Sequence, residues 1–250
     1  MKHMEKSFLH LGVGDKNGDK NTVSGNCIVH SLDMNAFVNN VIKSLERASS
    51  NELLHIVLTG GTTGGVFNLK LGEIASALPA SVWKRVHLWW GDERFLPTQS
   101  DERNDYGIRE ILGHYFDDDR VHQVSHSDEC GSVNEAASLY AHELGRYGSP
   151  SPRFTYVLLG MGPDGHVASL FPRSPQLEAT EVCVPVRDSP KPPPERVTMT
   201  FPTLNNSENT TIFAAGENKK QALNRLLAPS GSVDVTPARG ISARELEILT

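Results

Sequence analysis

The chain has only three cysteines among its 250 residues, Cys27, Cys130 and Cys183, and no two form a C-x-x-C pair. That spacing excludes a zinc ribbon and a redox dithiol. An odd set of distant thiols reads as free cysteine in a reducing compartment. Long apolar runs are also missing, and none approaches the roughly 20 residues that span a bilayer. The leading stretch Met1-Lys2-His3-Met4-Glu5-Lys6 carries no apolar signal region. These absences lead us to expect a cytoplasmic protein with no membrane partner. A surplus of positive charge is absent too, with 24 Lys and Arg against 30 Asp and Glu, for a net charge of −6. Nucleic acid would call for a basic face, so none is expected as a partner. A few converging cations are enough to hold a small anion on such a protein.

Several catalytic signatures are missing as well. His142-Glu143 does not extend to H-E-x-x-H, and no serine sits in G-x-S-x-G. Asp15-Lys16-Asn17-Gly18-Asp19 has the composition of a calcium loop but the wrong spacing. Gly12-Val13-Gly14 has its third glycine at Gly18, one position late for a dinucleotide fingerprint. No metal and no cofactor are expected. With no internal repeat and no low-complexity linker, residues 1–250 read as a single domain, large enough to bury a sizeable core.

The residues present organise themselves around glycine-ended apolar runs. Leu53 to Thr59 ends at Gly60-Gly61, Val86 to Trp90 at Gly91, Phe154 to Leu159 at Gly160, and Thr210 to Ala215 at Gly216. Stretches of helical period lie between them. Val66, Leu69, Ile74 and Leu78 are spaced as one apolar helix face, and a further helix is expected from about Glu217 to Leu227. Strand, glycine loop and helix in repetition predict an α/β fold with a mainly parallel sheet and helices on both faces. Ligands bind such sheets beyond the carboxyl ends of the strands, so the chemistry is expected just after Leu58, Trp90, Leu159 and Ala215.

The loops at these points are rich in polar signals. In Thr59-Gly60-Gly61-Thr62-Thr63-Gly64-Gly65, glycines let backbone N–H groups approach an anion at a helix N-terminus. The loop lacks a P-loop lysine. Gly91-Asp92-Glu93-Arg94 sets Arg94, a planar fork of donors, where substrate groups arrive, with Asp92 able to orient Arg94 or a base. In Gly160-Met161-Gly162-Pro163-Asp164-Gly165-His166, His166 is placed as a general base and Asp164 is near enough to hold its ring. Ser169 lies too close in sequence to both to assume a triad, and is read as structural. Prolines stiffen Ser189-Pro190-Lys191-Pro192-Pro193-Pro194, which brings Lys191 and Arg196 into one short stretch. Asp101, Asn104 and Tyr106 mean little by themselves. Lys219 or Lys220, at the start of the helix after Gly216, could reach the site, but the reading favoured for both is that of helix-surface lysines.

Taken in order, these segments resemble the 6-phosphogluconolactonase family over nearly the whole chain. Thr59-Gly60-Gly61-Thr62 is similar to its first glycine loop, and Gly91-Asp92-Glu93-Arg94 with Pro97 to its G-D-E-R-x-x-P segment. Gly160 to His166 with Ala168-Ser169-Leu170-Phe171-Pro172 is similar to its longest signature, and Ser189-Pro190-Lys191-Pro192-Pro193 with Arg196 to its last. The chain departs at Arg103, where the family usually has serine, and at Gly64-Gly65, where a bulkier pair is commoner.

The resemblance implies a Rossmann-like α/β domain and hydrolysis of 6-phospho-D-glucono-1,5-lactone to 6-phospho-D-gluconate in the oxidative pentose phosphate pathway. It implies catalytic roles for His166, Asp164 and Asp92, and substrate binding by Gly60, Gly61, Thr62, Arg94, Lys191 and Arg196. The implied partner is a small sugar-phosphate lactone; monomer and homodimer both fit. The rivals are a deaminase or aldose–ketose isomerase on the same fold, against which Asp92-Glu93-Arg94 and Ser169-Leu170-Phe171 argue, and a non-catalytic sugar-phosphate regulator, which would not need His166 in such a setting.

Overall fold

Short, largely apolar runs build a parallel sheet in the computed structural model, which describes residues 26–48, 51–108, 111 and 118–250. The segment from Gly12 to Asn21 lies outside the described residues. The strands are β1 (Asn26–His30), β2 (Leu54–Leu58), β3 (Val86–Trp90), β5 (Phe154–Gly160), β8 (Ser207–Phe213) and β9 (Glu245–Leu249). They run in the order β1-β9-β8-β5-β2-β3, and every pairing is parallel. All five residues of β2 and of β3 are buried, as expected of strands covered on both faces.

Period-2 alternation divides the core into two layers. Ile56 and Leu58 face a cluster with Phe37 and Val41 of α1 (Met34–Arg47) and with Phe67, Leu71 and Ile74 of α2 (Gly61–Ala77). Val57, Trp89 and Leu159 face the other, with Ala136, Tyr140 and Leu144 of α4 (Val133–Gly145) and Ala222 and Leu226 of α6 (Lys220–Leu227). The short helix α3 (Ala80–Trp83) adds Val82 and Trp83 to the first cluster, and α5 (Phe201–Leu204) adds Leu204 to the second. Asp33 starts α1, its Oδ1 accepting the N–H groups of Asn35 and Ala36 at 3.1 and 3.0 Å, a cap worth about 1 kcal/mol.

Two expectations need correction. The buried stripe of α2 is Phe67, Leu71, Ile74 and Leu78, whereas Val66 and Leu69 are exposed. The helix starts immediately after Gly60, and from that start the 3.6-residue period turns 66 and 69 outward. Residues 92–94 are also a strand rather than a bare loop. β4 (Asp92–Arg94) pairs antiparallel with β7 (Arg196–Met199), which pairs with β6 (Cys183–Val186). This small second sheet brings Arg94 into register with Arg196 and delivers the proline loop to the carboxyl edge of the large sheet.

Candidate active site

A cleft of about 470 Å³ opens over the carboxyl ends of four strands. Its walls come from Thr59-Gly60-Gly61 after β2, Asp92 and Arg94 after β3, Gly160-Met161-Gly162 with His166 and Ala168 after β5, and Ala215, Asn218 and Lys219 after β8. Lys191, Pro192 and Arg196 close one side and Asn104 another. All four points where the strand pattern placed the chemistry converge here.

His166 is the side chain best equipped to move a proton. Its Nδ1 lies 2.5 Å from Asp164 Oδ1, and the Asp164 carboxylate also accepts the His166 N–H at 3.3 Å. Burial pushes the Asp164 carboxyl up. The hydrogen bond from His166 and the charges of His166 and Lys191 outweigh that and bring it down to about 2. An ionised carboxylate only accepts, so Nδ1 presents its N–H to Asp164 and Nε2 is the ring nitrogen left to exchange a proton. The ring packs on Phe171, centroids 4.7 Å apart. It also lies over Gly162, where an added Cβ would come within 2.1 Å of Cε1; only glycine leaves the imidazole its place. Ala168 in the same loop has φ +48°, left-handed backbone that a residue with a Cβ rarely adopts.

The cations differ in how they are held. Lys191 Nζ lies 3.4 Å from His166 Nδ1 and 3.9 Å from Asp164 Oδ1. Arg196 spends most of its fork on the backbone, donating to the carbonyls of Pro193, Lys191 and Pro192 at 3.1, 3.1 and 3.0 Å. It thus fastens the loop that carries Lys191. Arg94 Nη1 donates to the Glu102 carbonyl, while its buried Nε has no hydrogen-bond partner among the described residues. The backbone of Gly60 and Gly61 begins α2 at the cleft wall, whereas the side chain of Thr62 lies outside the described residues.

Asp92 and Ser169 answer each other. Ser169 Oγ is fully buried and donates to Asp92 Oδ2 at 2.5 Å, with Arg196 Nη1 3.8 Å from the same oxygen. Among the described residues, then, Asp92 is tied to Ser169, Arg196 and Asn104, and Asp164 holds the His166 ring.

Two cleft residues were discounted in the sequence reading. Lys219 ends a 3-10 turn, Glu217–Lys219, that directs it onto the cleft wall, while Lys220 turns out to pair with Glu217 at 2.7 Å. Burial, then the charge of Lys191, lower the Lys219 amine below the ordinary lysine range. Asn104 donates from Nδ2 to the Asp92 carbonyl at 2.8 Å and packs on Gly60, whose hypothetical Cβ would lie 1.6 Å from Asn104 Oδ1. The helix-start glycine signal could have been extended to Lys219; nothing local marked Asn104.

Residues 32–250 match the family model described as glucosamine-6-phosphate isomerases/6-phosphogluconolactonase. The chain belongs to this family. A 6-phosphogluconolactonase of Mycobacterium tuberculosis is 40% identical over 198 residues, 76% of this chain and 78% of that protein. One from Streptomyces coelicolor is 39% identical over 216 residues, 82% and 81% of the two chains. Among solved structures, the 6-phosphogluconolactonase of Thermotoga maritima superposes with a TM-score of 0.74 at 26% identity, over 89% of this chain and 98% of that one. The Trypanosoma brucei enzyme gives 0.75 at 26%, over 91% and 96%. The family's mainly parallel α/β architecture is the one described above.

Proposed function

We propose that this protein hydrolyses 6-phospho-D-glucono-1,5-lactone to 6-phospho-D-gluconate, with His166 as general base. The observation that carries the reading is the Asp164–His166 pair, set in the wall of a cleft flanked by Lys191, Lys219, Arg94 and Arg196. The names of the curated relatives support the substrate.

In this reading the non-reacting phosphate binds first, against the N–H groups of Gly60, Gly61 and Thr62 at the start of α2, with Lys219 and Arg94. That binding energy orients the ring. His166 Nε2 takes a proton from water as its oxygen bonds to the lactone carbonyl carbon. Lys191, the cation nearest the His166 ring, stabilises the oxyanion. As the intermediate collapses, the bond from this carbon to the ring oxygen breaks, and His166 returns its proton to that oxygen. The product is the open-chain acid, which ionises. Asp164 stabilises the imidazolium in between. Arg196 holds the Lys191 loop, and Asp92, through Asn104 and Arg196, ties the glycine loop side of the cleft to the proline loop side.

The described residues form no membrane-crossing helix. The cysteines are free thiols, which supports a cytoplasmic place in the oxidative pentose phosphate pathway. The test is lactone disappearance, with lactone generated in situ and spontaneous hydrolysis subtracted. Acceleration is expected, without ammonia release from glucosamine 6-phosphate. Ammonia release with no lactone acceleration would move the protein to the isomerase branch of its family.

A further inference from the structure

Behind the cleft lies a buried ionic group that none of the steps above uses. Glu93 is fully buried, and its Oε1 accepts the N–H groups of Arg94 and Asn104 at 2.8 and 2.7 Å, while Oε2 accepts that of Asp105 at 3.0 Å. Arg103 is 4% exposed and forks onto Asp105, Nε to Oδ1 at 2.9 Å and Nη2 to Oδ2 at 2.8 Å. Its remaining N–H groups donate to the carbonyls of Arg94 at 3.1 Å, Leu96 at 3.3 Å and Val124 at 2.8 Å. Gln123 Nε2 holds Asp105 from outside at 2.9 Å.

The peptide groups on both sides of Arg94 are therefore gripped, its N–H by Glu93 and its C=O by Arg103. The same carboxylate takes the N–H of Asn104. Arg94 and Asn104 both line the cleft, and both also line an adjoining chamber of about 420 Å³. The turn that carries Asn104 has weak local bonding of its own: Arg103 N–H to Ser100 C=O at 3.3 Å and Tyr106 N–H to Arg103 C=O at 3.4 Å. Glu93 and Arg103 supply the anchorage that this turn lacks.

We infer that Glu93 and Arg103 are positioning residues of the reaction: without touching substrate, they set the Arg94 guanidinium and the Asn104 carboxamide in register with the glycine loop. The inference rests on the lactonase reading for its substrate. Misplacing a binding group by an ångström costs up to about 10²-fold, so the effect falls on substrate capture. A merely structural role would lower the melting temperature and the active fraction, leaving KM as it is.

Arg103→Lys keeps the charge and loses the fork. In folded protein it is expected to raise KM for the lactone about tenfold or more, with kcat changed less. In an Arg94→Ala/Asn104→Ala background the same substitution is expected to move KM less than about twofold, because the groups it positions are gone. Should Arg103→Lys not fold, Gln123→Leu removes the outer support of Asp105 and leaves every buried charge in place; KM is expected to rise about threefold. Calorimetric binding of 6-phosphogluconate, which needs no turnover, reads the same loss independently of the hydrolase assay. Wild-type KM and wild-type product affinity in either folded variant would overturn the inference. A wild-type enzyme that binds the product but does not hydrolyse the lactone would count against the proposed function instead.

Discussion

Asp164 Oδ1 and His166 Nδ1 stand 2.5 Å apart, two residues from each other in a loop that folds back over Gly162. Asp164→Asn removes the charge that stabilises the imidazolium, and its amide can donate to Nδ1 and shift the ring proton to Nε2. We expect kcat to fall about 10²–10⁴-fold with KM within about threefold of wild type. Steady-state kinetics on folded variant checks this. The Asp164 carboxyl is held at about 2, below its unfolded value. Its contribution to stability is therefore complete above the ordinary aspartate range and is lost as pH falls toward 2.

Gly60 and Gly61 separate space from backbone conformation. Gly60→Ala drives its Cβ into Asn104 Oδ1, 1.6 Å away. We expect kcat/KM to drop by about 10²-fold or more as Asn104 and the α2 N-terminus part. Gly61 has open space around it but φ +72°, so Gly61→Ala is expected to cost about 1–2 kcal/mol of stability, with a smaller loss of activity. Melting curves and kinetics on the pair tell clash from strain; equal losses in both assays would refute the distinction.

Lys219→Met is expected to raise KM about tenfold while leaving kcat within about threefold, as removal of a binding cation does. Burial and Lys191 hold the Lys219 amine below its ordinary range. Wild-type KM should thus begin to rise on the alkaline side before an ordinary lysine titrates, and Lys219→Met should lack that rise. A pH series of KM for both proteins is the check.

How much of this was legible in the sequence follows from what is local. Glycine-ended apolar runs marked β2, β3, β5 and β8, and His166, Asp164, Arg94 and Lys191 were visible because each sits beside its strand end or its proline-stiffened loop. Asn104 was not, since its place is set by Glu93 across eleven residues and by Gly60 in the loop that starts α2. Lys219 was hidden by one 3-10 turn that rotates it inward past Lys220. The charged run Asp92-Glu93-Arg94 looked like a loop because its partner, β7, is a hundred residues away.

A histidine cluster outside the cleft lining is expected to contribute to acid lability. His55, His87 and His122 are buried together: Trp89 Nε1 donates to His55 Nδ1 at 3.0 Å, His87 Nδ1 meets His122 Nε2 at 2.8 Å, and His122 Nδ1 meets Glu143 at 2.9 Å. Burial, then neighbouring histidine charge, pushes His55 down to about 3 and His87 to about 4; burial lowers His122 against the pull of Glu143. Arg120 and Arg146 also oppose protonation, and Asp119 favours it. Unfolded histidines gain protons near pH 6.5, whereas His55 and His87 do so only well below that and His122 is shifted in the same direction. Stability is therefore full above about pH 6.5 and falls as pH drops from there toward 4. His55→Gln, which keeps an acceptor, should reduce the slope by up to about 1.4 kcal/mol per pH unit in chemical denaturation from pH 6.5 to 4.5.

The base itself is the most direct test. His166→Gln keeps a polar side chain of similar reach but cannot take a proton, and lactone hydrolysis by this variant is compared with wild type after the spontaneous rate is subtracted. The account predicts wild-type acceleration and a loss of about 10²–10⁴-fold in kcat in the variant, with 6-phosphogluconate affinity kept. Undiminished turnover by folded His166→Gln would contradict it.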